Sequence, residues 1–219
     1  PITEARAEIG NIPIAFKAFS ERVKHLYDEV VPAGIEAGQE KTVLITRREP
    51  LGVVVAVIPF NFPCDLFDQK VAPALLSGNA VIVKPSTDNP LTLCMLTQLL
   101  GEAGVTPGAA QIVTGRGSVV GHELCANPDV DLVTLTGSTQ VGIETAEVCA
   151  KTLTHTALEL GGNDAFIVMS DADIDLATDE LIWGRMYNTG QVCCASKRFL
   201  VHKDVVDEFT KKAVEKISA

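Results

Sequence analysis

Near the start of the chain Ile9, Ile12, Phe16, Phe19, Val23 and Leu26 recur every three or four residues, the period of one helix face, and Pro13 is placed to kink or restart that helix. The period then changes. Residues 43–46 and 51–58 read as strands, and the second is almost wholly apolar, as a strand covered on both faces should be. Helix and strand alternate from there: helix 65–76, strand 80–83, helix 90–100, strand 111–113, helix 118–126, strand 132–135, helix 139–151 and strand 155–160. After Gly161-Gly162 come strand 165–169, helix 173–188, strand 199–202 and helix 205–217. Short apolar strands alternating with helices predict an α/β fold built on a doubly wound parallel sheet. There is no internal repeat or low-complexity tract. The Gly161-Gly162 break is the one candidate boundary, and it divides the chain into 1–159 and 160–219.

In such a sheet ligands sit at the carboxyl ends of the strands, so the residues that follow each strand carry information. After Ile58 comes Pro59-Phe60-Asn61-Phe62-Pro63, and after Val83 comes Lys84-Pro85-Ser86-Thr87. Val113 is followed by Thr114-Gly115-Arg116-Gly117, Leu135 by Thr136-Gly137-Ser138-Thr139, and the strand from His155 ends in Glu159-Leu160-Gly161-Gly162. Each motif has two readings. Asn61 is a turn former or a fixed amide donor for an oxyanion. Lys84 is a solvated strand-end lysine or a ligand for ribose or phosphate. Gly115-x-Gly117-x-x-x-Gly121 opens a helix after a strand, where backbone N–H groups meet phosphates, but it has one residue too many for the usual dinucleotide fingerprint. Ser138 is an anion ligand, an N-cap, or both. Glu159 is a general base or a strand-end charge. Gly190-Gln191-Val192-Cys193-Cys194 places two thiols at a junction between elements, where a nucleophile can be exposed yet rigidly held.

Composition narrows the function class. A net charge of −10 argues against nucleic acid, whose binders carry basic patches. The apolar run 51–60 is too short to span a membrane and ends in the Pro-Phe-Asn-Phe-Pro turn. The cysteines at 64, 94, 125, 149, 193 and 194 lack disulfide-framework and zinc spacing, which suits a reducing cytoplasm, and the four histidines lack ligand spacing.

Taken in order, the motifs Pro59-Phe60-Asn61-Phe62-Pro63, Lys84-Pro85, Gly115-x-Gly117, Thr136-Gly137-Ser138-Thr139, Glu159-Leu160-Gly161-Gly162 and Gly190-Gln191-Val192-Cys193 resemble the aldehyde dehydrogenase superfamily along essentially the whole chain. The first of these motifs, with Gly-Gly-Asn163-Asp164 and Cys193-Cys194-Ala-Ser-Lys-Arg, is similar to succinate-semialdehyde and related short-aldehyde dehydrogenases. The resemblance implies oxidation of a small aldehyde to a carboxylic acid with NAD or NADP through a cysteine thioester. It makes Cys193 the nucleophile and Cys194 a bystander, Asn61 the oxyanion donor and Glu159 the deacylating base. It implies that Ile58, Pro59, Lys84, Thr87, Gly117, Gly121, Gly137, Ser138 and Leu160 contact the cofactor, within a Rossmann-like domain over 1–159. Residues 160–219 would then open a catalytic domain.

Family members are longer at both ends, so the resemblance implies a truncated chain, inactive by itself, whose full-length form is a homo-oligomer. A CoA-acylating member and a non-catalytic dinucleotide-binding module are the alternatives, and Glu159 speaks against the first. Cofactor choice turns on Thr87. Members that prefer NAD commonly carry a glutamate three residues after the strand-end lysine, whereas this chain has a neutral hydroxyl there, which favours acceptance of NADP. The competing reading makes Thr87 an N-cap of the next helix.

Overall fold

The computed structural model describes residues 1–34 and 37–218. Helix α1, Ile2–Arg22, starts earlier than the apolar period suggests and continues through Pro13; a short 3₁₀ turn, Val23–His25, follows it. Strands β1 (Glu29–Val31) and β2 (Leu44–Thr46) form an antiparallel ribbon with Val30 opposite Ile45. Strand β1 has no signature in the hydrophobic pattern, because it is three residues long and is bounded by Asp28 and Pro32.

The chain divides into two compact units. Residues 8–136 and 140–159 form the larger one. Its centre is a five-stranded parallel sheet of β3 (Val53–Val57), β4 (Ala80–Lys84), β5 (Ala110–Ile112), β6 (Leu132–Thr136) and β7 (His155–Glu159), in the order β5-β4-β3-β6-β7. The connecting helices are α2 (Pro63–Leu76), α3 (Leu91–Glu102), α4 (His122–Ala126) and α5 (Thr139–Cys149). Alternate residues of β3 point to opposite faces. Val54, Ala56 and Ile58 pack with Phe67, Val71 and Leu93 of α2 and α3, while Val55 packs with Cys125, Val133 and Cys149 on the α4 and α5 side. Both faces of β3 are therefore dry, which is why its sequence is an unbroken apolar run. Parallel pairing aligns Val57 with Lys84 and Thr136 with Glu159, so all the strands end at one edge of the sheet. After β5 the chain crosses to the far side of β3 to add β6, and the strand order reverses between β3 and β6. The doubly wound fold expected from the pattern is the observed one.

The other unit comprises residues 1–7, 137–139 and the chain from 160 onward. Strands β8 (Asp164–Val168) and β9 (Ser196–Val201) pair in parallel, and helices α6 (Ile174–Leu181) and α7 (Val206–Ser218) cover them through Val168, Ile174, Leu181, Phe209 and Ala213. Asp173 caps α6, accepting from the backbone N–H of Asp175 at 3.0 Å and of Leu176 at 3.1 Å. The helix expected over 173–188 stops short. A π-turn, Ile182–Met186, follows α6, and then comes a 3₁₀ segment, Tyr187–Gly190, in which Asn188 and Thr189 are left-handed at φ 47° and 55°. Left-handed residues cannot continue a right-handed helix, so the chain turns out of it here. No helix among the described residues is long and apolar enough to cross a membrane, and among them no group of three or more His, Cys, Asp or Glu is placed to hold a metal ion.

Candidate active site

At the carboxyl edge of the five-stranded sheet, a cleft of about 450 Å³ opens at the order reversal. Val57 and Leu135, at the ends of β3 and β6, form its floor with Cys125 and Val148, and Gly117, Ser118 and Gly121 form its rim. Sites for nucleotides concentrate at such reversals. Gly117 and Gly121 have nothing within 4 Å of where a Cβ would stand, so their bare backbones face open space that side chains would fill. The helix expected at residue 118 begins instead as a π-turn, Gly117–Gly121, before α4. Gly115 sets the entry to that turn at φ 152°, where a side chain would collide with Val120.

Lys84, at the end of β4, is 5% exposed, and burial pushes its pKa down. Among the described residues no carboxylate pairs with it. An unpaired ammonium held out of water is costly, and the cost falls when a ligand supplies acceptors. The reading of Lys84 as a solvated strand-end lysine is thereby corrected. Its carbonyl receives the N–H of Ile58 at 3.0 Å, which ties the ends of β3 and β4 together below Pro59. Thr87 is exposed, and it does not cap the next helix, whose N-cap is Pro90. In the loop around it the Ser86 hydroxyl accepts the Asp88 N–H at 3.2 Å. The hydroxyl of Thr136, at the end of β6, is buried with no hydrogen-bond partner among the described residues. A cleft rimmed by bare glycines, an unpaired ammonium and an orphaned hydroxyl, all at one sheet edge, fit a dinucleotide. Gly137 is half-buried and Ser138 exposed on the turn after β6, and Leu160 is half-buried just after β7.

Asn61 is half-buried in the turn between β3 and α2. Glu159 is exposed at the end of β7. The structure adds Lys70, which sequence reasoning missed. Lys70 is 7% exposed and its Nζ donates to the Thr134 hydroxyl at 3.0 Å. Burial pushes its pKa down, and the negative charge of Glu159 works against that shift. Its signal was a charged residue on a core stripe, since Phe67, Val71 and Ala74 of the same helix are all buried.

Carboxylates gather at the start of α2. Asp68 is 1% exposed, one of its oxygens has no partner, and its pKa is pushed up to about 7, first by burial and then by Asp65. The folded chain thus holds a proton that the unfolded chain releases near pH 4. Stability should fall as pH rises from about 4 to 7, with the full cost present above 7. Asp68→Asn should therefore gain on the parent by roughly 2–4 kcal/mol between pH 4.5 and 8 in chemical denaturation. An equal effect at both pH values would show that Asp68 does not take up the proton.

In the other unit Cys193 and Cys194 are both exposed, whereas Cys64, Cys125 and Cys149 are buried. Burial pushes the Cys64 thiol up to about 12 and the Cys125 thiol up to about 11, which makes them poor nucleophiles. The Cys193 carbonyl accepts from Lys197 Nζ at 2.7 Å, and the same ammonium reaches the Ala195 carbonyl at 3.1 Å. Arg185 wraps the approach, donating to the Gly190 carbonyl at 3.1 Å. Gly190 has φ 75°, where any side chain is strained, and a Cβ there would also crowd the Arg185 carbonyl at 3.1 Å. Residues 188–190, all left-handed, deliver the chain to Cys193. Such a run of sparsely populated conformations is a mark of functional loops.

Comparison with known proteins adds to this geometry. The family model described as "Aldehyde dehydrogenase family" matches residues 1–219. The chain is 37% identical over 212 residues to a D-glyceraldehyde dehydrogenase (NADP(+)) of Picrophilus torridus, covering 97% of this chain and 42% of that protein. It is 37% identical over 218 residues to a succinate-semialdehyde dehydrogenase [NADP(+)] of Escherichia coli, covering 100% of this chain and 44% of that protein. The crystal structure of a betaine aldehyde dehydrogenase of Staphylococcus aureus in complex with NAD+ matches with a TM-score of 0.93 at 32% identity, covering 100% of this chain and 43% of that one. The chain thus spans less than half the length of these relatives.

Proposed function

The chain belongs to the aldehyde dehydrogenase family, and from that premise we propose that the full-length protein oxidises a small aldehyde to its carboxylic acid with NAD or NADP, and that this chain is inactive by itself. The observation that carries this reading is the carboxyl edge of the sheet, where the glycine-rimmed cleft, the unpaired Lys84 and Glu159 collect. Residues 1–159 act as the cofactor domain and 160–219 carry the nucleophile. Ile58, Pro59, Lys84, Thr87, Gly117, Gly121, Gly137, Ser138 and Leu160 hold the dinucleotide, with Lys84 on the adenosine ribose and Gly137 and Ser138 at the pyrophosphate. Bound NAD(P) supplies the hydride acceptor.

This chain's own residues carry the remaining chemistry. Cys193, as thiolate, adds to the aldehyde carbon and the carbonyl electrons move onto oxygen. The Asn61 amide and the Cys193 backbone N–H receive that oxyanion. Oxidation leaves the acyl group as a thioester on Cys193. Glu159 takes a proton from the water that attacks the thioester, the thiolate departs, and the acid is released. The relatives' names span glyceraldehyde, succinate semialdehyde and betaine aldehyde, so the shared element is a small aldehyde. The decisive assay follows reduced cofactor with short aldehydes in the presence and absence of CoA. Free acid formed without CoA supports the reading; dependence on CoA overturns it.

Cofactor choice is tested at Thr87. Its hydroxyl can donate to the 2′-phosphate of NADP, and Lys84 offers a positive charge nearby. A carboxylate at Thr87 would stand against that phosphate, a contact costing on the order of 4 kcal/mol at about 4 Å and an effective dielectric near 20, and less at this exposed position. The parent is expected to use NADP at least as well as NAD by kcat/KM. Thr87→Glu should cut NADP use by about tenfold or more while sparing NAD. A parent strict for NAD, or a variant with NADP use untouched, would remove Thr87 from cofactor choice.

A further inference from the structure

We propose that Glu8 and Asn89 are positioning residues that fix the turn carrying Asn61 from both ends. The proposal rests on the oxyanion role assigned to Asn61 above. The N-cap of α2 is Phe62, whose side chain caps nothing, so the first amides of the helix need an acceptor from elsewhere. Glu8 of α1 supplies it, accepting the N–H groups of Cys64 at 2.5 Å and Asp65 at 3.1 Å across 56 and 57 residues of sequence. At the other end Asn89, in the loop before α3, donates its Nδ2 to the Phe60 carbonyl at 2.8 Å. Asn61 lies between these tethers, and the flanking prolines at 59 and 63 restrict the backbone further.

The Glu8 carboxylate is an expensive way to cap a helix. It is 8% exposed, burial pushes its pKa up, and among the described residues no cation pairs with it. Asp65 and Asp68 stand close enough to add repulsion to the same cluster. A serine or aspartate at position 62 would satisfy the same amides locally. What a local cap cannot do is tie the turn to α1, and Asn89 ties it to the loop after β4 in the same way. An oxyanion donor works by standing in place before charge develops, so holding its backbone rigid is worth this cost.

The experiment uses the catalytically active protein. Glu8→Ala and Asn89→Ala should each lower kcat by about 10- to 100-fold, the scale of a 1 Å misplacement, with KM for the cofactor unchanged. Glu8→Gln keeps an acceptor oxygen and should recover most of the loss. Combining Glu8→Ala with Asn61→Ala should be no slower than Asn61→Ala alone, because a residue that acts only through Asn61 has nothing left to position. Hydrogen exchange of residues 59–65 should accelerate in Glu8→Ala and Asn89→Ala while the strands of the sheet stay protected. Unchanged exchange in that segment overturns the proposal, as does a kcat loss that adds fully to that of Asn61→Ala. Full activity in Asn61→Ala would locate the failure in the oxyanion reading itself, and faster exchange in the segment would then stand as a purely structural tether.

Discussion

In the full-length enzyme, replacing Cys193 by alanine is expected to abolish aldehyde oxidation, a loss on the order of 10⁴-fold or more, while Cys194→Ala keeps most of the activity. Exposure does not separate the two thiols, since both are open to solvent. The motif does, since Cys193 stands three residues after Gly190, where the resemblance places the reactive cysteine. Its carbonyl is held by the Lys197 ammonium at 2.7 Å, and a Cβ on Gly162 would come within 3.3 Å of that oxygen. Cys193 is therefore anchored through its own main chain at the exit of the left-handed run 188–190. A nucleophile held by its backbone keeps a free thiol for the substrate, which suits the proposed chemistry. The four other cysteines are half-buried or buried, and those at 64 and 125 have thiols pushed up to about 12 and about 11, so neither of these two can substitute. The measurement is steady-state cofactor reduction in both variants, alongside mass spectrometry of the protein after brief exposure to aldehyde and cofactor. An acyl adduct should appear in Cys194→Ala and be absent from Cys193→Ala. Equal losses in the two variants, or activity retained without Cys193, would sink the assignment.

What the sequence disclosed and what it hid divide along physical lines. Strands β3, β4 and β6 were legible because burial on both faces writes an apolar run into the chain, whereas β1 left no trace because it is three residues long between Asp28 and Pro32. The carboxyl-edge motifs were legible because glycine, asparagine and lysine after apolar runs serve no packing purpose. Strand order was not. Nothing local in β6 says that it pairs with β3 rather than β5, yet that crossing creates the cleft at Val57 and Leu135. The turns at Gly117–Gly121 and Ile182–Met186 read as ordinary helix because a single π-turn adjoining an α-helix is too short to write its own period into the sequence. Lys70 was hidden because a single charge in mid-helix is ordinarily solvated, although its place on the buried stripe of α2 was the clue. The tethers Glu8 and Asn89 depend on contacts between distant segments, which no single-sequence pattern encodes.

Glu159→Gln is expected to convert turnover into a single burst. If Glu159 serves only deacylation, the variant still forms the thioester on Cys193 and releases about one equivalent of reduced cofactor per site. Steady-state turnover then falls by roughly 10²–10⁴-fold, the usual contribution of a positioned general base. The geometry gives this carboxylate a second consequence. Lys70 is buried and hydrogen-bonded to Thr134, and the charge of Glu159 offsets part of what burial takes from its pKa. Neutralising Glu159 removes that offset, so Lys70 should titrate at lower pH in the variant than in the parent, a change that NMR of a labelled lysine can read. The two effects share a cause and differ in readout, which makes the assignment easier to break. Hydroxylamine attacks thioesters without a base to activate it, so adding it should restore release of the acyl group in Glu159→Gln but accelerate the parent little. A variant with unchanged steady-state rate would leave Glu159 as a strand-end charge. A variant with no burst would move its role to a step before the thioester forms, and hydroxylamine would then restore nothing.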